Sequence, residues 1–532
     1  MALTLSLVVP AVVAVWLLAA GRRYAPRTAR GLALVASVVT FLLTLVTVIF
    51  RTEVDAPWVS SLGLRWHFAV DGVTVPLALL TAVLGVAVVV HARGREPGRA
   101  DGQPGASAAN SAASYYACLL LVEFGALATF FARDAILFFV AFEVVLVPMW
   151  VLISRFGDAH ATERARADAS NRFVLFTALG STLMLLGILV LVVQSGTSDL
   201  ARLAAAHGAG LSTPTQILVA ALLVVGLGIK VPLWPVHTWL PPAHTIAPTA
   251  GSVLLAAVLL KMGTYGIIRL AIPTVPEGFH AVAPFLAASG AVGILWGGLA
   301  CMVERDLKRL VAYSSVAHMG FVTLGLAAGT QTGMQAALFA NVAHGLVSAL
   351  LFFVVGGLKE RWGSADLTVA RDALRDVSPR MGFALVVGFA SALGLPGLVG
   401  FWGEFLAVYA AWNPAENLPT ALYRFCAVAG VVGMSLAAAY SLRVLRLVWA
   451  GHQNWTGPVP GTVARGSGRG DAQGAELLVV LALVALIIGI GVVPKPLLGV
   501  TEPESTVLVP RSGHPGPPAP ARGGTTVEAA GR

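Results

Sequence analysis

Charge is scarce in this chain of 532 residues: 11% are Asp, Glu, Lys or Arg, while 57% are hydrophobic. Soluble proteins carry about 25% charged residues, and soluble domains of this total length could not cover their surfaces with so few. A soluble fold is excluded. Cysteine is scarcer still. Cys118, Cys301 and Cys426 are far apart, each in an apolar run, so no pair has the spacing of a metal, redox or iron–sulfur site. The nucleotide and zinc fingerprints GxGxxG, GxxxxGK(S/T) and HExxH are missing as well. The expectation is therefore a chain with no cofactor or metal of its own. Nucleic acid is not an expected partner either, because the formal net charge of +9 is explained by where the cations sit.

What is present is a series of apolar runs near 20 residues, the length a helix needs to cross a bilayer. They fall at about 4–20, 31–50, 73–91, 115–132, 135–154, 172–194, 214–233, 246–270, 283–303, 310–329, 334–357, 381–411, 420–447 and 475–494. In lipid only helices satisfy their backbone polar groups along such continuous runs, and a barrel would show short alternating segments. The expected fold class is an all-α polytopic membrane protein with about fourteen transmembrane helices. The first run has no basic residue before its apolar core and is followed by Arg22, Arg23, Arg27 and Arg30, so it does not read as a cleaved signal peptide. Loops after odd-numbered spans hold 23 Lys and Arg residues, and those after even-numbered spans hold only Arg51, Arg65, Arg133, Arg202, Arg269 and Arg424. That bias puts the odd loops in the cytoplasm and both termini outside. Gly94–Ser114, Gly451–Gly474 and the Pro/Gly-rich tail from Thr501 onward read as linker or disorder.

A few ionisable residues break the apolar rule. Glu123, Glu143, Lys230, Lys261 and Glu404 all fall inside spans, where a charge costs about 2.5–3.5 kcal/mol on insertion scales. Two of the five lysines are among them, and lysine can release its proton where arginine cannot. A structural pair or a snorkelling side chain would explain single cases, and for Glu123 that reading stands beside the functional one. His318 follows Ser314 at i+4, and Asn341, His344 and Ser348 share one helix face. One polar stripe can be interhelical glue, but two beside four buried charges read as a proton path. Pro232 and Pro235 interrupt span seven just after Lys230, freeing the carbonyls of Gly228 and Val231, and Pro396 with Gly397 interrupts span twelve near Glu404. Two broken helices five spans apart predict two inverted five-helix repeats, spans 4–8 and 9–13, in the manner of transporters.

The segments LGIKVPLWPVHTWLPPAHTIAPTAGSVLLAAVLLKMGTYGIIR (227–269), FEVVLVPMWVLI (142–153), ERDLKRLVAYSSVAHMGF (304–321) and GLPGLVGFWGEF (394–405) carry a family likeness. They resemble the antiporter-like subunits of respiratory complex I, over roughly residues 70–450. The resemblance implies that Glu143 and Lys230 form a coupling ion pair, that Lys261 is the central relay and that Glu404 stands near proton exit. It implies that His318 and His344 lie on a water-filled axis between them, and it gives His237 and His244 places near the cytoplasmic side. Pro242 stands where many relatives have an acid, which leaves that position without an acidic group for proton entry. Glu404, where some relatives carry lysine, and a single span after residue 474, where others add a long lateral helix, narrow the resemblance to one branch of the family.

The expected organisation is an N-terminal unit over 1–114, repeats over 115–270 and 283–447, a loop with span fourteen over 448–500, and a disordered tail over 501–532. The resemblance further implies a proton-translocating subunit in the inner membrane of a bacterial cell, partnered by other antiporter-like membrane subunits. Flavin, iron–sulfur clusters and quinone would belong to partner subunits. A subunit of a multisubunit sodium/proton antiporter, and a scaffold whose buried charges are structural, are the alternatives.

Overall fold

The computed structural model describes residues 1–92, 105–159, 161–451 and 470–508. Among them thirteen helices are long and apolar enough to cross a membrane. In chain order these spans are Ala2–Ala20, Pro26–Ile49, Thr74–His91, Ser111–Phe131, Ala135–Phe156, Glu163–Ser195, Thr213–Lys230, Thr249–Ala271, Pro276–Val303, Leu307–Ala327, Gln331–Trp362, Thr420–Trp449 and Gly474–Val492. The remaining crossing, span twelve, is split into Pro379–Ala392 and Val399–Trp412. At 1.5 Å per residue neither half reaches across a hydrocarbon core of about 30 Å, so the two together complete the fourteen.

Local sequence starts and stops these helices. Asp134, Ser212, Asp306 and Thr330 each turn a side-chain oxygen onto a backbone N–H of the first turn that follows, satisfying donors a helix leaves open. Span seven stops at Lys230, since Pro232 and Pro235 cannot continue it, and the chain resumes as the short helix Leu240–Ile246. The freed carbonyl expected at Gly228 is taken: the Leu233 N–H donates to it at 2.8 Å, because the chain folds back on itself in the turn. Span twelve breaks between Ala392 and Val399, where Gly394 and Gly397 adopt φ of +75° and +91°. Only glycine enters that region without a Cβ clash.

Burial grades the helices. Spans eight and ten are 94% buried and span eleven is 100% buried, whereas spans one and two are 33% buried. The first group forms the axis of the molecule, where a charge can be kept from lipid. Span eight is also irregular. It alternates Thr249–Leu254 (α), Leu255–Leu259 (π), Leu260–Gly266 (α) and Ile267–Ala271 (π). Such π-turns carry an extra residue per turn and are often found at functional sites.

The all-α class holds, with one small addition: Val54–Val59 and Leu64–Phe68 pair as an antiparallel hairpin between spans two and three. Two expectations are corrected. Residues 105–114, read as linker, are the first turns of the helix Gly105–Phe131. Residues 501–508, read as disordered tail, belong to a helix, Lys495–Leu508, which packs on span eleven and buries Thr501 and Ser505. Gln331 and Gln335 hydrogen-bond Thr506 and Ser505 on it. The tail's proline and glycine content is concentrated beyond this helix, which is why composition hid it. Of the stretch Gly451–Gly474, residues 451 and 470–474 are described; the remainder of the three stretches lies outside the described residues.

On the hairpin side, three spans are tied together through Asp71. Its carboxylate accepts from the Thr74 N–H at 3.0 Å, pairs with Arg133 at 2.9 Å and meets the Arg269 guanidinium. Burial pushes this carboxyl up, but Arg269 and Arg133 together hold it well below the usual carboxylate range. A carboxylate depressed in the fold stabilises at neutral pH, and that contribution fades only as the pH falls below about 4. Asp71→Asn should leave two cations unpaired and destabilise the protein by about 3–5 kcal/mol, read as a lower Tm at pH 7. An unchanged Tm would show that the cluster is not a clamp.

Candidate functional site

The axis holds a row of ionisable groups. Lys261 lies on the α-helical turns between the two π-segments of span eight, fully buried. Its Nζ donates to the Ala256 carbonyl at 2.6 Å, five residues back and inside the π-turn. The same nitrogen lies 2.6 Å from Nδ1 of His344 on span eleven. The His344 ring is 5.7 Å, centroid to centroid, from that of His318 on span ten. His318 Nδ1 in turn is 2.7 Å from Oε1 of Glu404, six residues into the second half of span twelve. Four helices thus supply one row, Lys261–His344–His318–Glu404.

The row has room for water. His318, His344, Ser391, Gly400 and Glu404 line a cavity of about 20 Å³, which is sufficient for one water molecule. The Nε2 atoms of both histidines and Oε2 of Glu404 are buried with no hydrogen-bond partner among the described residues. Buried polar atoms of this kind are normally satisfied, by water if not by protein. The break in span twelve is what admits the carboxyl group: a Cβ on Gly394 would lie 3.0 Å from Glu404 Oε2.

The other expected residues are not all in the row. Lys230 is buried at the C-terminal end of span seven, its ammonium 5.0 Å above the Phe142 ring and 5.7 Å from that of Phe173. The expected contact with Glu143 is not made. No ion pair within 4 Å joins the two, and the half-buried Glu143 carboxylate instead accepts from the Ser181 hydroxyl. Cation–π contact and the helix C-terminus favour Lys230 where it lies. His244 stacks on Phe352 at 4.6 Å, with neither ring nitrogen partnered among the described residues. His237 faces the Trp296 ring at 6.5 Å. Glu123 lies on span four and faces span two, accepting from Ser37 at 2.9 Å. The hydroxyls of Ser314 and Ser348 donate to carbonyls of their own helices, so their stripes reduce to the histidines, with Asn341 bonded to Thr264 at 2.9 Å.

Two features escape sequence reading. Lys308, in a basic run that looks like a loop, is buried, and its Nζ donates to the Ala247 carbonyl at 2.5 Å. It caps the C-terminal end of Leu240–Ile246, the short helix that follows span seven. Asp71 sits just before span three and carries no motif. The only signal for either was a charge close to a span end, which ordinary interface residues share.

Crossings broken at spans seven and twelve, with a buried row of titratable groups between them, define a polytopic membrane protein of the antiporter-like class. Residues 132–429 match the family described as "NADH:quinone oxidoreductase/Mrp antiporter, TM". The chain belongs to that family. It is 33% identical to the NADH-quinone oxidoreductase subunit M of Rhodobacter capsulatus, covering 91% of each chain. It is 35% identical to that of Pseudomonas aeruginosa, covering 84% of this chain and 82% of the other. A chain of respiratory complex I from Thermus thermophilus superposes with a TM-score of 0.80 at 28% identity, over 96% of this chain and 100% of that one.

Proposed function

We propose that this chain is subunit M of a proton-pumping NADH–quinone oxidoreductase and that it translocates protons through the buried row. The observation that carries this reading is the contact row Lys261–His344–His318–Glu404, whose first three members lie on the most buried helices. Each member can take up or release a proton, and the unpartnered nitrogens beside the cavity leave places for linking water. Glu143 and Lys230 act as the coupling switch. Here the two are not in ion-pair contact; brought together, the carboxylate would favour the charged form of Lys230. Pumping one charge against about 150 mV costs about 3.5 kcal/mol. Stranding one member of a buried pair costs about 3–5 kcal/mol, whereas a surface pair is worth about 0–1 kcal/mol.

The basic loops support odd loops in the cytoplasm and both termini outside, in a bacterial cytoplasmic membrane. The half-buried Glu143 supports a neighbouring membrane subunit as the source of the switching signal. NADH oxidation and quinone reduction, with flavin and iron–sulfur clusters, would take place in partner subunits. Spans 4–8 and 9–13 would be the two inverted repeats.

In the assembled complex in proteoliposomes, Glu143→Gln or Lys230→Ala should cut NADH-driven proton uptake at least about 10-fold while the complex still forms. Wild-type pumping in both would remove the switch from the mechanism. Sodium-dependent transport without a co-purifying flavin would establish the sodium/proton antiporter reading instead, and loss of assembly would establish the scaffold.

A further inference from the structure

Glu123 takes no part in the row, and its surroundings point elsewhere. Span two buries one face, Ala33, Ser37, Thr40, Thr44 and Thr47, against spans one, three and four. Ser37 donates to Glu123 Oε2 at 2.9 Å. Glu123 Oε1 has no partner among the described residues and occupies a notch at Gly85, where a Cβ would lie 2.3 Å from it. The hydroxyls of Thr40, Thr44 and Thr47, all fully buried, are also unpartnered among the described residues.

Those three hydroxyls differ from threonines inside other described helices. Thr81, Thr129, Thr177 and Thr182 each donate to the carbonyl four residues back in their own helix, the ordinary way a helical threonine is satisfied. Thr40, Thr44 and Thr47 forgo that bond. Interhelical glue would show cross-helix bonds, and only Ser37 makes one. Unpartnered hydroxyls and half a carboxyl group inside a span are costly unless water reaches them. From Ser37 to Thr47 the file rises about 15 Å along the helix, ending two residues before Ile49, where span two gives way to the hairpin.

We infer that spans two, three and four enclose a water-filled polar file, with Glu123 at its blind end as a proton-binding site. Through Thr40, Thr44 and Thr47 that site exchanges protons with the aqueous phase on the hairpin side, independently of the relay row.

The test uses the assembled complex in membranes, with thiosulfonate labelling of single cysteines added from the hairpin side. Thiolates form where water reaches, so Thr40→Cys and Thr44→Cys should be modified at least about 10-fold faster than Ala33→Cys, which shares their face beyond Ser37. Equal rates for all three would overturn the file. A second readout is the infrared carboxyl band that Glu123→Gln removes. In D2O it should shift within mixing time in the wild type and at least about 10-fold more slowly in Thr44→Val, which keeps the side-chain shape without the hydroxyl. A protected band in the wild type, or unaltered exchange in Thr44→Val, would show dry packing and sink the proposal.

Discussion

Lys261→Met is expected to lower NADH-driven proton pumping at least about 100-fold, the lower end of what a positioned acid–base group contributes, in a complex that still assembles. Methionine follows the lysine stem closely and adds no branch, so the fully buried site is filled much as before. What disappears is the nitrogen that contacts both the Ala256 carbonyl and His344 Nδ1 at 2.6 Å. The Ala256 carbonyl then loses its partner inside the π-turn, and His344 loses the neighbour through which a proton would arrive. Proton uptake by proteoliposomes, measured beside NADH oxidation, checks this. Full pumping would take Lys261 off the route. A collapsed complex without altered pumping per electron would mark it as structural.

Gly394→Ala is expected to lose pumping where Gly397→Ala keeps it. Both glycines have left-handed φ, and each alanine should cost about 1–2 kcal/mol of backbone strain. They differ in what the new methyl group meets. At Gly397 nothing lies within 4 Å, whereas at Gly394 the methyl carbon would sit 3.0 Å from Glu404 Oε2 and 3.5 Å from Met434 Cε. A shifted carboxyl group lengthens the 2.7 Å contact to His318 and breaks the row at its last link. Comparable falls in Tm with pumping lost only in Gly394→Ala would fit this account. Equal pumping in the two variants would show that the carboxyl group does not need that notch.

The row and the switch differ in kind. Lys261 to Glu404 is in contact, apart from the gap between the histidine rings, while Lys230 stands apart from Glu143. In the proposed relay the later members are joined and the first is not, so coupling would rest on bringing Glu143 and Lys230 together. Beside Lys230, spans seven and eight pack closely at Gly263, where a Cβ would meet Val231 and the Leu227 carbonyl at under 3 Å.

The residues of the row were legible because lipid makes each one an anomaly. Lys261 and Glu404 break long apolar runs, and polar spacing on spans ten and eleven picked out His318 and His344, which the family likeness then placed on the axis. Ser314 and Ser348 were misleading for a physical reason: a hydroxyl can satisfy itself on its own helix, so spacing does not show which way it turns. Lys308 was missed because buried and snorkelling lysines look alike in sequence, and only packing against Ala247 separates them. The helix Lys495–Leu508 was missed because its stabilising contacts come from Gly72, Gln331 and Gln335, far away in the chain.

The sequence by itself determined the crossings, the breaks in spans seven and twelve and the identity of the buried charges, because bilayer thickness, proline chemistry and desolvation act on local residues. Tertiary structure alone decided which charges touch. Lys261 and His344 are 83 residues apart and His318 and Glu404 are 86, and no local rule relates such distant positions. It also decided that Glu143 turns to Ser181 and that Glu123 faces span two. Where a buried polar group finds its partner depends on how whole helices pack, and that is a property of the assembled bundle.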